Sequence, residues 1–280
     1  MHTVSNTGAT NMLNTNELIA LYKDESFKTA FIANYIEKGV HLHVAQKEFI
    51  TAFDLIANDI GNQDRPAIKL SPARSIKSTF LMISSYGLSF DPNEKEVYVY
   101  GEYRDNEKIG LGVTLGYRGM RRIAMYSGKV KVITSEIVYE SDSFTWLGAD
   151  KAPSFASTGR NQDDNISCGF VTIRLIDNSV VSFKMSAAEL LQIENDNIKM
   201  EAEFSGDPNN SLYKSAWRER CLRAALWRSA YREYQHLFTD TGKVINNEGK
   251  LEPETESSSA FETMMAEALA EHDNQQAVNG

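Results

Sequence analysis

The spacing of apolar residues changes near Val97, and this change constrains the fold more than any other feature of the sequence. Upstream of it, apolar residues recur with the period of an amphipathic helix. Downstream, Val97–Tyr100 and Leu111–Leu115 alternate with the period of a strand and flank the polar residues Arg104–Glu107. We therefore predict N-terminal helices followed by a β-hairpin.

The remaining periodic segments extend this prediction to the whole core. Before the hairpin, helical spacing covers Asn16–Lys38 (one or two helices), Val44–Ile60, and Ser71–Gly87 with a serine cap and a proline at its start. After it, strand spacing covers Val130–Tyr139, Cys168–Leu175 and Val180–Phe183. Ser186 is expected to cap a short helix through Ile193. The predicted class is α+β, with N-terminal helices, a central, mostly antiparallel sheet with the β-hairpin, a long basic helix packed on it, and a disordered acidic tail.

A basic segment follows the hairpin at Gly116–Lys131, and we call it the basic corner. It contains five basic residues and no acid, although the chain as a whole has 29 Lys plus Arg against 38 Asp plus Glu. A helix that ends before Gly128 and a strand beyond it would bring these cations together. The pattern favours a polyanion-binding site, and a solvated surface is the alternative. The cations are Arg118, Arg121, Arg122, Lys129 and Lys131.

A second basic element is predicted as one long helix at Lys214–Tyr234. Four cations fall along one side of this helix and form a ridge, namely Lys214, Arg218, Arg228 and Arg232. Apolar residues, among them Trp217, occupy most of the remaining circumference and are expected to anchor the helix. Arg220 and Arg223 lie on that apolar side, where an arginine either pairs with a carboxylate or reaches a phosphate.

The charge distribution divides the chain into three parts. Residues 239–280 contain nine acids and two lysines and account for −7 of the formal net charge of −9. We interpret 1–14 as a disordered arm, 15–238 as the core domain and 239–280 as a flexible acidic tail. Within the tail, residues 260–271 form an amphipathic pattern that is too short for a stable isolated helix, so this segment folds back or docks on a partner. Docking is favoured, through Phe261, Met264, Met265 and Leu269.

Several other classes of protein are disfavoured by the sequence. No apolar run is long enough to span a bilayer and no leader pattern is present, so a cytoplasmic protein is expected. Cys168 and Cys221 are isolated, and His41 and His43 lack further ligands, so neither a metal nor a cofactor is predicted. A phosphate-binding Gly-x-x-x-x-Gly-Lys-Ser/Thr motif and a nuclease-like carboxylate cluster are both absent from the sequence.

Leu-Gly-Tyr-Arg-Gly-Met at residues 115–120 resembles the signature of the RecT and Red-beta family of phage single-strand annealing proteins. The similarity extends over about Ser71–Phe238, although the basic helix is arginine-rich where the family commonly has lysines. The resemblance implies a protein of the bacterial host cytoplasm that binds single-stranded DNA, assembles into rings or helical filaments, and anneals complementary strands without nucleotide. It also implies that Lys214, Arg220 and Arg228 contact the DNA backbone. Family members use their C-terminal regions to meet a companion exonuclease or the host single-strand-binding protein.

Other interpretations of the same residues stay open. A second function class is a non-enzymatic interaction scaffold whose basic corner binds an acidic partner, for example the chain's own tail. An enzyme that acts on a phosphorylated small molecule would need a nucleophile and a base, and the sequence reveals no such pair. Tyr117, within the basic corner, either stacks on a base or packs in the core.

Overall fold

The computed structural model describes residues 15–62, 65–104, 108–158 and 165–238, together with Lys250. These residues form helices and antiparallel strands, which confirms the α+β class. The helices are α1 (Thr15–Tyr22), α2 (Glu25–Glu37), α3 (Leu42–Asn58), α4 (Ala73–Ser85), α5 (Tyr117–Tyr126), α6 (Ala187–Ser205) and α7 (Arg218–Tyr234). The strands are β1 (Val97–Arg104), β2 (Lys108–Leu115), β3 (Val130–Tyr139), β4 (Ser143–Thr145), β5 (Ser154–Ala156), β6 (Ile166–Leu175) and β7 (Val180–Ser186).

The N-terminal helices enclose a cluster of buried aromatic rings. The ring centroid of Phe31 on α2 lies 5.3 Å from that of Phe49 on α3 and 5.8 Å from that of Phe90, which precedes β1. Phe80 on α4 completes the cluster, with its ring centroid 4.9 Å from that of Phe90. Edge-to-face and tilted contacts of this kind stabilise a core beyond the apolar area that they bury. The N-terminal helices therefore share one core with the segment that leads into the hairpin.

The starts of α2 and α4 show which polar side chains act as caps. Asp24 separates α1 from α2, and its carboxylate accepts a hydrogen bond from the backbone N–H of Phe27 at 3.0 Å. Ser71 does not cap α4, contrary to the prediction. Its hydroxyl instead donates to the carbonyl of Gly110 on β2 at 3.1 Å, and Pro72 stands at the cap position. This serine therefore ties the start of α4 to the hairpin.

The strands form three antiparallel sheets rather than a single central sheet. The hairpin β1–β2 is a separate two-stranded sheet, β6 lies between β3 and β7 in a three-stranded sheet, and β4 pairs with β5. The register of β3 against β6 shifts between Val130 and Val132. This irregularity breaks the predicted alternation, so that Lys131 and Val132 are both exposed.

Helices α6 and α7 both pack on the three-stranded sheet. They come together over Gly169 on β6, where an added Cβ would lie 3.0 Å from Leu226 of α7 and 3.1 Å from Leu190 of α6. Leu222 and Ala230, on the same helix as Leu226, are fully buried. The missing side chain of Gly169 thus permits two helices to approach the sheet at one point.

Helix α6 is longer than predicted. It begins with a capping box, in which Ser186 and Glu189 satisfy each other's backbone N–H groups, and this part of the prediction is confirmed. It then continues past Ile193 to Ser205, where Gly206 in the left-handed conformation ends it. The polar composition of its second half explains the error, since a mostly exposed helix needs few apolar residues.

Helix α7 begins later than predicted, at Arg218. Lys214 lies in the short 3-10 turn Leu212–Lys214, and Ser215 after it has an extended backbone. The hydroxyl of Ser215 also accepts a hydrogen bond from the backbone N–H of Trp217 at 3.1 Å. Such local serine bonds compete with helical ones, so the turn and the helix are distinct elements.

Lys250 lies against the hairpin, although it belongs to the predicted tail. Its backbone forms an isolated antiparallel bridge with Thr114 on β2, and its ammonium lies 3.3 Å from the carboxylate of Glu102 on β1. The predicted arm 1–14, the rest of the tail and the predicted amphipathic helix 260–271 lie outside the described residues.

Candidate nucleic-acid interface

The two glycines of Gly-Tyr-Arg-Gly-Met allow α5 to pack tightly against the segment that enters β1. A Cβ at Gly116 would overlap the carbonyl oxygen of Lys95, and a Cβ at Gly119 would overlap that of Glu96. The backbone N–H of Gly116 also donates to the Glu96 carbonyl at 2.9 Å. The first turn of α5 is thereby fixed in place and presents Arg118 at the surface, where this side chain is exposed.

Arg122 lies on the inner side of α5 and forms an ion pair with a buried carboxylate. Its Nη1 lies 2.8 Å from Oε1 of Glu96, a residue that is 6% exposed. The guanidinium also lies over the ring of Tyr126, 5.0 Å from the centroid. Burial acts to lower the pKa of Arg122, but the hydrogen bond and charge of Glu96 outweigh it and the pKa is raised. Arg122 therefore stabilises the basic corner, and Glu96 largely compensates its charge in this arrangement.

A second, half-buried carboxylate extends this network to the N-terminal helices. Glu48 on α3 accepts hydrogen bonds from the hydroxyl of Ser89 and from the backbone N–H of Phe90, both at 2.7 Å. The backbone N–H of Ser89 donates to Glu96, also at 2.7 Å. Burial raises the pKa of Glu48 despite these hydrogen bonds. Hydrogen bonds to Glu96 and to Glu48 thus fix the backbone at Ser89 and Phe90.

Three other cations of the basic corner are exposed and bonded mainly to neutral atoms. Arg118 donates to the hydroxyl of Tyr117 at 3.3 Å, and its nearest carboxylate, that of Glu94, is 3.9 Å away. Arg121 donates to the carbonyl of Ile133 on β3 at 3.0 Å. The exposed ammonium of Lys131 lies 3.1 Å from the amide oxygen of Asn178. Their positive charges are therefore largely uncompensated at the surface.

Tyr117 and Lys129 occupy intermediate positions. Tyr117 is half-buried, and its ring packs against the main core while its hydroxyl reaches Arg118. Lys129, just before β3, is half-buried, and its backbone N–H donates to the hydroxyl of Ser127 at 3.1 Å. Gly128 has a φ of +69° and ends α5, as predicted.

Two arginines of α7 are bound to carboxylates of neighbouring elements. Nε and Nη2 of Arg218 lie 2.6 and 2.7 Å from the two oxygens of Glu194, a buried residue of α6. Nη2 of Arg223 lies 2.5 Å from Glu136 on β3 and 2.8 Å from Glu219 on α7. Two alternatives were predicted for Arg223, pairing with a carboxylate or contact with a phosphate. The structure shows that it pairs with a carboxylate. The predicted ridge is interrupted at Arg218, since this charge is compensated.

The other cations of the basic helix region lie nearer to solvent. Lys214 and Arg232 are exposed, and Arg228 is half-buried near Tyr213. Burial raises the pKa of the Tyr213 hydroxyl, and the positive charge of Arg228 partly offsets this effect. Within the part of the chain that the structure describes, neither Arg228 nor Arg232 pairs with a carboxylate.

Trp217 is exposed rather than buried, and the prediction that it anchors the helix is wrong. Its side chain is 51% accessible to solvent, because the residue lies at the cap of α7 and not inside the helix. The guanidinium carbon of Arg220 lies 4.5 Å from its ring centroid. Arg220 is itself exposed, and the described residues offer it no carboxylate partner.

The sequence interpretation did not identify the carboxylates that bind the inner arginines. Glu96 directly precedes the apolar start of β1, and Glu194 follows the apolar residue Ile193 on α6. An acid next to an apolar run is the signal that could have revealed them, because a carboxylate is seldom buried without a cation. Glu136 gives a weaker signal, since the apolar residues Ile137 and Val138 follow it but the polar residues Thr134 and Ser135 precede it.

Helix α5 packs against β3 and α7, so the basic corner and the basic helix are neighbouring elements of one body. Among the residues with described positions, no three His, Cys, Asp or Glu side chains are arranged to hold a metal ion. None of the described helices is long and apolar enough to cross a membrane. The fold and its exposed arginines define an α+β protein whose surface suits a polyanion.

Comparison with known proteins shows to which family of α+β proteins the chain belongs. The chain belongs to the RecT family, whose sequence model matches residues 69–268, well over half of the chain. The chain is similar to Protein RecT of Escherichia coli (strain K12), with 25% identity over 167 residues. That alignment covers 58% of this chain and 59% of the E. coli protein. The family suggested by residues 115–120 is thereby confirmed.

Proposed function

We propose that this protein binds single-stranded DNA and anneals complementary strands without a nucleotide, in phage-type homologous recombination. The observation that carries the proposal is the set of exposed cations on the basic corner, Arg118, Arg121 and Lys131, whose close partners are neutral atoms. Cations in such a setting attract phosphates and release the counterions that surround DNA. Family membership and the similarity to Protein RecT support the same function.

The mechanism follows from the charge of the reactants. Two strands repel each other through their phosphates, and this repulsion opposes their encounter. A surface that neutralises both backbones lowers the repulsion, while base pairing alone decides which strands join.

We infer that the basic corner, with Lys214, Arg228 and Arg232, forms a groove for the nascent duplex, and that copies of the chain align their grooves in a ring or filament. A companion exonuclease or a single-strand-binding protein would meet the C-terminal tail.

The test follows the pairing of two complementary, fluorescently labelled oligonucleotides without nucleotide, at low and moderate salt. The variant Arg118→Glu with Arg121→Glu should lose the acceleration that the unchanged protein gives, and the acceleration should fade with salt. Arg122 is left in place, because a glutamate there would face buried Glu96 and unfold the corner. Lys199→Glu, at an exposed position of α6, serves as the control for charge reversal outside the basic corner.

The outcomes separate the two function classes. No acceleration by the unchanged protein at any salt concentration would exclude annealing and favour the interaction scaffold. Equal acceleration by the double variant would instead show that the basic corner is not the site. Loss of acceleration in the double variant but not in Lys199→Glu supports annealing through the basic corner.

A further inference from the structure

Trp217 is an exposed indole that the fold holds in a fixed place. It stands at the cap of α7, where its backbone N–H donates to the hydroxyl of Ser215 and its carbonyl accepts from the N–H of Cys221 at 3.0 Å. Of the other two tryptophans, Trp227 is buried and Trp146 packs against a small second core. The exposure of Trp217 is therefore not typical of the indoles of this protein.

The guanidinium of Arg220 lies over this ring, and none of the described carboxylates pairs with it. Its guanidinium carbon lies 4.5 Å from the ring centroid, whereas the neighbouring Glu219 binds Arg223 at 2.8 Å. The preceding turn adds Lys214, whose side chain is exposed. An indole and a guanidinium in contact offer planar surfaces for stacking, next to charges that attract a phosphate.

We propose that Trp217 and Arg220 form a stacking site for one unpaired nucleobase of single-stranded DNA. This proposal rests on the proposed function and adds a contact to the base, which phosphate neutralisation alone does not supply. Stacking on an aromatic ring is independent of sequence, because every base has a π face. A duplex keeps its bases stacked on each other, so the site distinguishes a single strand from a finished duplex.

The local charge favours a nucleic acid over a protein at this site. The exposed side chains of this segment include an indole and two cations, Lys214 and Arg220, whereas two acids beside them, Glu194 and Glu219, are bound to Arg218 and Arg223. Single-stranded nucleic-acid sites combine aromatic rings with cations in this way. If Trp217 were instead covered by another copy of the chain, that copy would have to supply a carboxylate to pair with the exposed cations. The test below distinguishes this alternative.

The test compares two oligomers of equal length, oligo(dT) and an abasic deoxyribose-phosphate chain, which carry the same charge. Trp217→Ala should weaken binding of oligo(dT) about tenfold, the effect expected for one lost base stack. It should leave binding of the abasic oligomer unchanged. Trp217→Phe should retain most of the affinity, and Arg220→Lys should keep the charge but lose part of the preference for oligo(dT). Ile60→Ala, at a residue that is 86% exposed, is the control for removal of a surface apolar group.

Each other outcome overturns the proposal in a recognisable way. Equal weakening for both oligomers would show that Trp217 only positions the charge of Arg220. Unchanged DNA binding with a smaller assembly in sedimentation would show that the indole is a subunit contact, and unchanged binding and assembly would show that it has no role in either. If the unchanged protein binds neither oligomer, the proposed function fails and the stacking site with it. Thermal unfolding of each variant confirms that the fold is retained.

Discussion

Nη1 of Arg122 lies 2.8 and 3.0 Å from the two carboxylate oxygens of Glu96, and this ion pair joins α5 to the residue before β1. Arg118, one helical turn earlier, is exposed and has its nearest carboxylate at 3.9 Å. Two arginines of one helix therefore differ in their surroundings. The inner one is paired with a buried carboxylate, and the charge of the outer one is largely uncompensated.

We expect Arg122→Ala to lower the free energy of unfolding by roughly 3 kcal/mol, because it leaves the buried carboxylate of Glu96 without its cation. Arg118→Ala, an exposed substitution in the same helix, should change it by less than about 0.5 kcal/mol. Urea unfolding followed by circular dichroism measures both. Similar small losses in the two variants would contradict the division between inner and outer arginines.

We expect Gly119→Ala to destabilise the protein by about 2 kcal/mol, since its Cβ would overlap the carbonyl oxygen of Glu96 and push α5 away from β1. The control is Gly39→Ala, at a position with open space but a φ of +76°. There only the left-handed backbone is strained, at a cost of roughly 1 kcal/mol. Thermal unfolding compares the two. A larger loss for Gly39→Ala would mean that the close approach at Gly119 is easily relieved.

We expect the salt dependence of oligo(dT) binding to report the exposed cations. In a plot of log affinity against log salt concentration, Arg118→Glu with Arg121→Glu should flatten the slope by about one for each cation removed. Fluorescence anisotropy at several salt concentrations measures this slope. Lys199→Glu should leave the slope as it is. A parallel shift without a change in slope would indicate that the two arginines do not contact phosphates.

We expect Asp24 to contribute stability that depends on pH. Burial acts to raise the pKa of this carboxyl, but its hydrogen bonds, above all the one from Lys77 at 2.8 Å, hold the pKa far below its usual range. Because the folded pKa is depressed, the contribution is complete above the unfolded value of about 4 and is lost as pH falls below it. Asp24→Ala should therefore cost about 1 kcal/mol at neutral pH, typical of a lost cap, and less under acid conditions.

Urea unfolding of the Asp24→Ala variant and the unchanged protein at a series of pH values measures this difference. Asp54→Ala, at an exposed carboxylate of α3, is the control and should show a small effect throughout. A gap between Asp24→Ala and the unchanged protein that stays constant down to pH 3 would rule out the depressed pKa.

We expect removal of residues 239–280 to leave annealing of naked DNA intact and to weaken annealing of strands covered by a single-strand-binding protein. The same fluorescence assay, with and without that protein, measures both. The substitution Lys250→Glu tests the contact of the tail with the hairpin separately, because it places a like charge beside Glu102. Loss of basal annealing on truncation would place the tail within the annealing site itself.

The sequence predicted those parts of the fold that depend on neighbouring residues. The hairpin follows from alternation, and the end of α5 from the glycine at position 128. The partners of the paired arginines were not identified from the sequence, because Glu96 lies 26 residues from Arg122 and Glu136 lies 87 residues from Arg223. The exposure of Trp217 was missed for a related reason, since a serine two residues earlier delays the start of α7.

The ion pairs of Arg122, Arg218 and Arg223 also bear on how the protein releases its ligand. Each of them holds two elements together in a partly buried setting, where dissolved ions screen charges less than they do at the surface. The exposed cations are fully subject to this screening. A rise in ionic strength should therefore strip the polyanion from the protein well before it loosens the fold, and return to dilute buffer should restore binding without a refolding step.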